Sequence, residues 1–590
     1  MPESDERRRA FLSNGFTSAL ELDGSIDWFP CPRFDSPSIF SAILDRTKGG
    51  FFSIRPEADY KLASQYIGNN MMLRNVFETE KGRLEVTDFL PLGVCAIIRI
   101  FKSEVPFIAE VRPVFQYGMT NSGIETSEKG ITFKNGSSKE GLELSIKGDY
   151  SIIDDGLFRI NAGEGYMFAL YSKDLKYGLF SRSGSVYPDP YETFEATQKY
   201  WDEQLSSARP VGKFRDAYYR SLAVVLGLMY MPSGGMIAAP SASLPEIVGK
   251  SRNWDYRYVW VRDAAYAAET LSNVMMLSKA RRALSFLISV IDPSLKSFDH
   301  PFYSIDGTAP QPEETLHWLR GHRGSRPVRI GNEAFTHMQN DVEGAFMSGM
   351  HAYIEKSGDL LYAKENWWAV EAIAKWTTES WRLKSISLWE ERDVTEHYVH
   401  TKVMEWVALD RAVKIGRRIG ENKSLDGWTS AAVDIKAEIM KEGYSGKLNS
   451  FTKFYGSDEV DASLLVLPLY GFIDAKDPMF LSTLQRIEKT LAVDDGLLIR
   501  YSSDFMGKVE HPFTLLSTWL ARVYLRLGDI KRAETIIDRL LYYSNDNMLI
   551  AEHIDLKSRE PRGNIPQLFA HVGLIEAINE LNDPTLLLQQ

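Results

Sequence analysis

Two short segments far apart in the sequence each carry a carboxylate in a setting that suits acid–base chemistry. In the first, Trp389 precedes Glu390 and Glu391, and in the second Glu552 stands between an apolar stretch and a polar loop. Cleavage of a glycosidic bond needs one protonated carboxyl to assist the leaving oxygen and one ionised carboxylate to activate water. Because a neighbouring indole or carboxylate raises the pKa of a glutamate, Glu390 is the candidate general acid and Glu552 the candidate general base. The simpler interpretation of both segments is solvated surface glutamates, since glutamate is mostly exposed.

A third segment, residues 254–263, combines aromatic rings with an adjacent arginine and aspartate. Flat apolar rings such as those of Tyr256 and Trp260 suit the C–H faces of sugars. Arg262 and Asp263 could bind two neighbouring hydroxyls through charge-assisted hydrogen bonds, which would form a closed subsite for the end of a sugar chain. The alternative is a helix-terminal salt bridge below a cluster of core aromatics. Taken together, the three segments indicate a glycoside hydrolase.

The composition narrows the class of protein and its partners. A chain of 590 residues with 44% hydrophobic and 25% charged residues is typical of a globular protein with several domains or one large helical barrel. The net charge of −11 argues against a non-specific nucleic-acid partner. Two cysteines, Cys31 and Cys95, exclude a disulfide framework. With neither a secretory signal nor an apolar run long enough to cross a membrane, we expect a cytoplasmic protein.

The histidines and cysteines show no spacing typical of metal ligands, so we expect neither a metal nor another cofactor. A small carbohydrate is the expected partner, and nucleic acid and membrane are not. The sequence leaves the oligomeric state open, and a homo-oligomer is compatible with it.

The pattern of hydrophobic residues changes along the chain. Residues 1–192 alternate with period two between turn residues, as in 142–147, which predicts an antiparallel β-sandwich. Residues 193–212 predict a linking helix. Residues 213–590 show helical spacing, as in 515–523, and predict either a helical barrel or a solenoid. Irregular helix spacing and long loops favour the barrel.

Several segments resemble glycoside hydrolase family 15, the glucoamylase and trehalase family, in its prokaryotic branch. The similarity extends over nearly the whole chain, and the segments keep the order that they have in the family. They are residues 11–15, 24–38, 238–246, 252–264, 324–332 and 402–412, together with the segment around Glu552.

The resemblance implies an N-terminal β-sandwich packed on a catalytic (α/α)6 barrel, and release of β-glucose from non-reducing α-glucosyl ends with inversion. It also implies that Glu390 is the general acid and Glu552 the general base. Inversion requires the two carboxyls to stand roughly 6.5–9.5 Å apart, so that a water fits between base and sugar. Six residues are expected to bind substrate: Tyr256, Trp260, Arg262, Asp263, Trp389 and Glu391.

Specificity within the family is less constrained. The N-terminal stretches 11–15 and 32–38 are closer to the trehalase-like branch, which favours hydrolysis of α,α-trehalose to two glucose molecules. A glucoamylase acting on maltooligosaccharides is the close alternative, and a non-catalytic sugar-binding or scaffold protein is the remote one. Ser387 stands where the fungal enzymes carry aspartate, so fungal detail does not transfer beyond the first sugar.

Overall fold

The computed structural model describes residues 5–127, 130–177, 189–294, 297–392, 394–504 and 506–588. The N-terminal part of the described chain consists of strands. Their bounds are β1 Ala10–Ser13, β2 Ser18–Leu22, β3 Ser25–Pro30, β4 Ser38–Phe40, β5 Phe51–Pro56, β6 Tyr60–Tyr66, β7 Leu73–Thr79, β8 Gly82–Phe89, β9 Ala96–Ser103, β10 Phe107–Arg112, β11 Val114–Phe115, β12 Thr120–Ser127, β13 Gly130–Asn135, β14 Gly141–Lys147, β15 Tyr150–Asp154, β16 Leu157–Ile160 and β17 Gly163–Ser172.

These strands form two antiparallel sheets. One has the order β1-β2-β3-β5-β10-β16-β15, with β4 beside β3, and the other has the order β11-β12-β13-β14-β17-β9-β8-β7-β6. Side chains from both sheets, including Ile54, Phe101, Phe107 and Leu144, pack into one buried cluster between them. Alternate residues of β10 are buried, as expected for a strand with one face on a core. The predicted antiparallel β-sandwich is confirmed.

The two cysteines lie next to each other. Cys31 directly follows β3 and Cys95 directly precedes β9, and their sulfur atoms are 2.9 Å apart as free thiols. No sequence pattern marks this contact, because it depends on how the two sheets pack.

Helices make up most of the chain after residue 189. Asp189 caps the first of them by accepting from the backbone N–H of Tyr191. The bounds are α1 Pro190–Ser206, α2 Arg215–Gly227, α3 Val261–Asn273, α4 Leu277–Ser289, α5 Val342–Ser357, α6 Leu360–Glu365, α7 Trp367–Ser380, α8 Val399–Ile419, α9 Leu425–Glu442, α10 Val466–Leu469, α11 Pro478–Leu491, α12 Thr514–Leu527, α13 Ile530–Tyr542 and α14 Leu568–Asn582.

The helices alternate between an inner and an outer ring. The inner helices α3, α5, α8, α10, α12 and α14 each pack on the next, and α14 packs back on α3. This contact closes the ring, whereas a solenoid would leave its last helix far from its first. Helix α14 is buried from Leu568 to Glu580, as an inner helix must be. The barrel interpretation is therefore the correct one, and the fold is a β-sandwich followed by an (α/α)6 barrel.

The inner helices bring the candidate residues together. Trp260 immediately precedes α3, Asp341 immediately precedes α5, and the backbone N–H of Thr514, which opens α12, donates to the carbonyl of Glu552 at 3.0 Å. The N-termini of these inner helices thus face one end of the barrel. Loops at this end carry the candidate residues, and functional residues often lie on loops held by a rigid scaffold.

The sandwich supports the same end. The Trp28 indole donates to the carbonyl of Pro240 at 2.7 Å, and the Arg257 guanidinium donates to the carbonyl of Ser36 at 2.8 Å. Both contacts fix loops that lead into the segment 254–263. Among the described residues, no helix is both long enough and apolar enough to cross a membrane.

Candidate active site

The segment 254–263 builds one wall of a pocket. Its strand Val259–Trp260 pairs with Phe302–Tyr303, and the Trp260 indole stacks on the Phe302 ring with centroids 4.3 Å apart. The Tyr256 ring meets Trp260 edge to face at 5.5 Å. Packing on both sides leaves the two rings little rotamer freedom, so their polar atoms have fixed positions.

Each of these rings holds one of the two candidate carboxylates. The indole N–H of Trp260 donates to Oε1 of Glu390 at 2.8 Å, and the hydroxyl of Tyr256 donates to Oε1 of Glu552 at 2.8 Å. Because the two rings touch, the fold brings Glu390 and Glu552 to the same place. Neither glutamate is a solvated surface residue.

Glu390 is held by donors on a single oxygen. The amide Nε2 of Gln339 also donates to Oε1 at 3.0 Å, and the Arg262 guanidinium lies 3.7 Å from the same atom. Arg262 in turn donates to Oε1 of Gln339 at 2.9 Å, which fixes the orientation of that amide. The other carboxyl oxygen of Glu390 is thereby available for a proton, and the side chain is about 20% exposed toward the pocket that it lines.

The backbone at Glu390 is strained. Its φ of 58° lies in the left-handed region, which is uncommon for a residue with a side chain. The neighbours on both sides are anchored: the Trp389 indole donates to the carboxylate of Asp461 at 2.8 Å, and Glu391 pairs with Lys453 at 2.9 Å. Residues 388–391 are therefore a turn and not the start of a helix, and the turn presents Glu390 to the pocket.

Glu552 is almost fully buried, with 2% of its surface exposed. Burial, followed by the nearby charge of Glu246, raises the pKa of Glu552 above its ordinary value, while Arg500 and the Tyr256 hydroxyl act in the opposite direction. Gly563 gives the carboxylate its space, because a Cβ at this position would stand 2.6 Å from Oε2 of Glu552. The φ of 73° at Gly563 also favours glycine.

Arg262 and Asp263 do not pair with each other as an isolated couple. Arg262 forms its ion pair with Asp341, at 3.0 Å. Consecutive residues on a helix point in different directions, so Arg262 reaches across to the start of α5 instead. Asp263 is buried, and this burial raises its pKa to about 7, although Arg262 opposes the shift.

One further cluster lies beside Glu552. Glu246 bonds to the Arg500 guanidinium at 2.9 Å, and its carboxylate is 3.5 Å from Nε2 of His553. Within the described part of the chain, the ligand atoms of Glu246, Glu552 and His553 form one group with the spacing of a metal site, all within 4.8 Å of one another. Arg500 already supplies a positive charge there, so we interpret the group as an acid–base cluster.

The pocket contains about 500 Å³ of empty space, part of which is open to solvent. Tyr256, Trp389, Glu390 and Glu391 line it directly, whereas Trp260, Arg262, Asp263 and Glu552 contact or surround these residues from behind. Sequence reasoning missed Gln339, Asp341 and Arg500, which no local pattern marks. Glu246 and Asn332 stand within the family-like segments 238–246 and 324–332, which offered the only signal for them. The full lining comprises Glu246, Arg252, Trp254, Tyr256, Asn332, Ala334, His337, Trp389, Glu390, Glu391, Arg392, Arg500, Asp504 and Met506.

Comparison with known proteins agrees with this geometry. The curated relatives include Trehalase 2 of Sulfolobus acidocaldarius, 51% identical over 97% of this chain and 99% of the relative. Trehalase 1 of the same organism is 41% identical over 97% and 98%, and a trehalase of Thermoplasma volcanium is 32% identical over 98% and 93%.

Among solved structures, a bacterial glucoamylase complexed with acarbose superposes with a TM-score of 0.76, covering 100% of this chain and 97% of the other. At 14% identity it shows the shared fold alone. A model of a trehalase-like N-terminal region matches residues 4–162. Residues 212–532 and 529–579 match the model of the glycosyl hydrolases family 15, and the chain belongs to that family.

Proposed function

We propose that this protein is an α,α-trehalase that hydrolyses trehalose to two glucose molecules with inversion at the attacked anomeric carbon. The observation that carries the proposal is the pair of touching rings, Tyr256 and Trp260, each donating to a different carboxylate. Such an arrangement holds one carboxyl group on the pocket and the second directly behind its Tyr256 wall. The curated trehalases, similar to this chain over nearly its full length, support trehalose as the substrate.

In the proposed mechanism Glu390 is the general acid. Its protonated carboxyl donates to the glycosidic oxygen as the bond from that oxygen to the anomeric carbon breaks. Trp260 and Gln339 occupy Oε1, so the proton resides on the other oxygen. After transfer, these two donors and the nearby Arg262 stabilise the carboxylate that remains.

Glu552 is the proposed general base. It accepts a proton from a water whose oxygen bonds to the anomeric carbon from the opposite face, and the product glucose on that side has the β configuration. The Tyr256 hydroxyl holds the carboxylate in place. Glu390 ends the reaction ionised and Glu552 ends it protonated, so one proton must return to Glu390 before the next turnover.

Six residues are proposed to bind the substrate. The carboxylate of Asp263 and the guanidinium of Arg262, fixed by Asp341, would grip the hydroxyls of the terminal glucose. Buried Glu391, fixed by Lys453, would accept from a hydroxyl of the substrate. The rings of Tyr256, Trp260 and Trp389 would pack against the sugar faces.

The remaining expectations stay proposals of the same kind. We propose a division into a sandwich domain of residues 1–192, a linking helix of residues 193–212 and a catalytic domain of 213–590. The observed helix α1 begins slightly earlier, at Pro190, and ends at Ser206. We also propose a cytoplasmic location and leave a homo-oligomer open.

The substrate proposal is tested by incubating the purified full chain with trehalose and with maltose in parallel and following the products by NMR that resolves the anomers. Inversion of trehalose yields α- and β-glucose in equal initial amounts, because the leaving sugar keeps its α configuration. Only α-glucose in the first minutes would contradict inversion. Activity on maltose alone would contradict the trehalase assignment and favour a glucoamylase. Hydrolysis of neither sugar would favour a non-catalytic scaffold.

The residue roles are tested by Glu390→Gln and Glu552→Gln, each expected to lower kcat by a factor on the order of 10²–10⁴ with the fold intact. Glu203→Gln is a matched control, since this side chain on α1 is 63% exposed, and it should turn over normally. Near-normal turnover by either active-site variant would remove that residue's role.

A further inference from the structure

Glu246 is a buried carboxylate that the proposed mechanism does not use. It directly follows the strand Ala242–Pro245, is 5% exposed and lines the pocket. Its backbone is fixed, because its N–H donates to the carbonyl of Arg252 at 3.0 Å and the carbonyl of the preceding Pro245 accepts from Gly563 at 2.8 Å. A buried acidic side chain so firmly placed next to a reaction site needs an explanation.

Arg500 is the cation that bonds to Glu246. The guanidinium donates to Oε2 at 2.9 Å, and both side chains are about 7% exposed. This buried, charge-assisted bond favours the ionised form of Glu246. Arg252, which also faces Glu246, lowers its pKa further. Glu246 therefore carries a negative charge inside the protein.

His553 does not cancel this charge. Its Nδ1 lies 3.2 Å from the carbonyl of Pro512, which can only accept, so Nδ1 carries the hydrogen. In the neutral ring Nε2 is then a bare acceptor facing the Glu246 carboxylate at 3.5 Å, and Nε2 is buried without a hydrogen-bond partner. Burial keeps the imidazole neutral by lowering its pKa to about 3.

Glu552 lies within reach of the charge on Glu246, since their carboxylate oxygens are within 4.8 Å. Two buried carboxylates at this distance disfavour double ionisation. The ion pair with Arg500 holds the charge on Glu246, so the proton stays on Glu552. The groups that face Glu552 are Glu246 and Glu390, which favour its protonated form, and Arg500 and Tyr256, which favour its ionised form.

We propose that Glu246 is a positioning residue for the hydrolysis, whose fixed negative charge, balanced by Arg500, sets the pH above which Glu552 can act as base. The proposal rests on the proposed role of Glu552. Glu246 touches neither the reacting water nor the anomeric carbon in this scheme, and it acts through the proton affinity of its neighbour. The acidic limb of the pH profile of kcat/KM reports ionisation in the free enzyme. Its position is then set by Glu246 and Glu552 together.

The test is the pH profile of kcat/KM for trehalose. Glu246→Gln removes the negative charge and frees Arg500, and both changes favour ionised Glu552. The acidic limb should therefore move to lower pH by roughly one unit. Glu246→Asp keeps the charge and should restore a limb close to that of the wild type. Arg500→Gln leaves Glu246 unbalanced and should move the limb to higher pH.

A limb that stays in place in a folded Glu246→Gln variant, with only kcat or thermal stability reduced, would show a merely structural role and overturn the proposal. If the Glu246→Gln protein does not fold, the Arg500→Gln protein provides the test. An acidic limb that stays in place in that variant would also overturn the proposal. Full activity of Glu552→Gln would instead refute the proposed function, so the two failures are distinguishable.

Discussion

The side chains around the two glutamates differ in what they do to a proton. Glu390 accepts from two neutral donors at one oxygen and lies near Arg262. Glu552 accepts from Tyr256 but is packed against Glu246 in a buried setting. The ionised form of a buried base depends strongly on each hydrogen bond that it accepts, because few water molecules are present to replace a donor that is removed.

Tyr256→Phe tests this dependence. Loss of the hydroxyl removes a hydrogen bond to a charged group, which is worth about 1.5–3 kcal/mol, so kcat/KM should fall roughly 10- to 100-fold. The acidic limb should also move to higher pH, because the ionised form of Glu552 loses its donor. Tyr191→Phe, at a tyrosine 39% exposed on α1, is the control and should behave like the wild type. An unchanged profile for the Tyr256→Phe enzyme would mean that the bond does not serve the base.

At the scale of elements, local sequence patterns were sufficient to predict individual helices and strands. The spacing in 515–523 predicted a helix, and α12 spans Thr514–Leu527 and ends at Gly528, whose φ is 85°. The alternation in 142–147 predicted a strand, and β14 spans Gly141–Lys147. Each of these patterns lies within one segment, so it is visible in the residues of that segment alone.

Contacts that depend on ring closure could not be predicted in this way. Asp341 became the partner of Arg262 because α3 and α5 are neighbours in the inner ring. Arg500 reaches Glu246 across 254 positions of sequence. No periodicity encodes such pairs, and a charged residue at these positions is, on composition alone, expected at the surface. The polar network behind the pocket was therefore invisible until the elements were placed.

A short hairpin shows how an element can shape specificity. Its strands Ser503–Asp504 and Gly507–Lys508 pair at the pocket rim, and Asp504 and Met506 line the pocket. Arg252 donates to Asp504 at 2.8 Å, and Tyr501 donates to the same carboxylate at 2.8 Å. The ion pair, whose side chains are only 8% and 3% exposed, holds the hairpin at the pocket. We expect this contact to limit the length of sugar that the pocket accepts.

Asp504→Asn should loosen this contact. The amide retains a bond to Tyr501 but loses the charge that holds Arg252, so KM for trehalose should rise about tenfold with a smaller change in kcat, as expected for lost binding. Activity on maltotriose relative to maltose should increase. Glu164→Gln, the control, breaks an exposed ion pair with Lys102 on the sandwich. It should change neither KM for trehalose nor the activity on maltotriose relative to maltose. Unaltered KM and unaltered preference in the Asp504→Asn enzyme would exclude a specificity role for the hairpin.

At the scale of the whole molecule, part of the strand-rich region packs into the hydrophobic core of the barrel. Trp28, Phe34 and Tyr117 of the strand-rich part belong to the same buried cluster as the residues of the inner helices. Arg320, in a barrel loop, bonds to Asp45 at 3.1 Å. The two parts should therefore unfold together, and groups buried in either part affect the stability of the whole chain.

Buried titratable groups give this stability a definite dependence on pH. Burial raises the pKa of Asp263 and Glu343 to about 7, so the folded chain binds more protons than the unfolded chain between about pH 4.5 and 7, and stability falls as pH rises across this range. Burial lowers the pKa of His400 to about 4 and that of His571 to about 3, so the unfolded chain binds more protons below about pH 6.5, and stability falls as pH decreases there. The two effects oppose each other between these limits, so stability should be greatest between about pH 4.5 and 6.5.

Thermal unfolding at a series of pH values checks this balance. The Tm should be higher near pH 6 than at pH 8.5 or pH 3.5, by at least a few degrees, because the shifted carboxyls of the folded protein ionise above pH 6 and its shifted histidines become protonated at the acidic end. Glu343→Gln removes one carboxyl from the alkaline side while keeping an acceptor for Ser297. It should therefore reduce the loss of Tm between pH 6.5 and 8.5 and leave the fall of Tm below about pH 4 unchanged. A Tm that rises steadily from pH 6 to 8.5 in the wild type would show that Asp263 and Glu343 are already ionised in the folded protein.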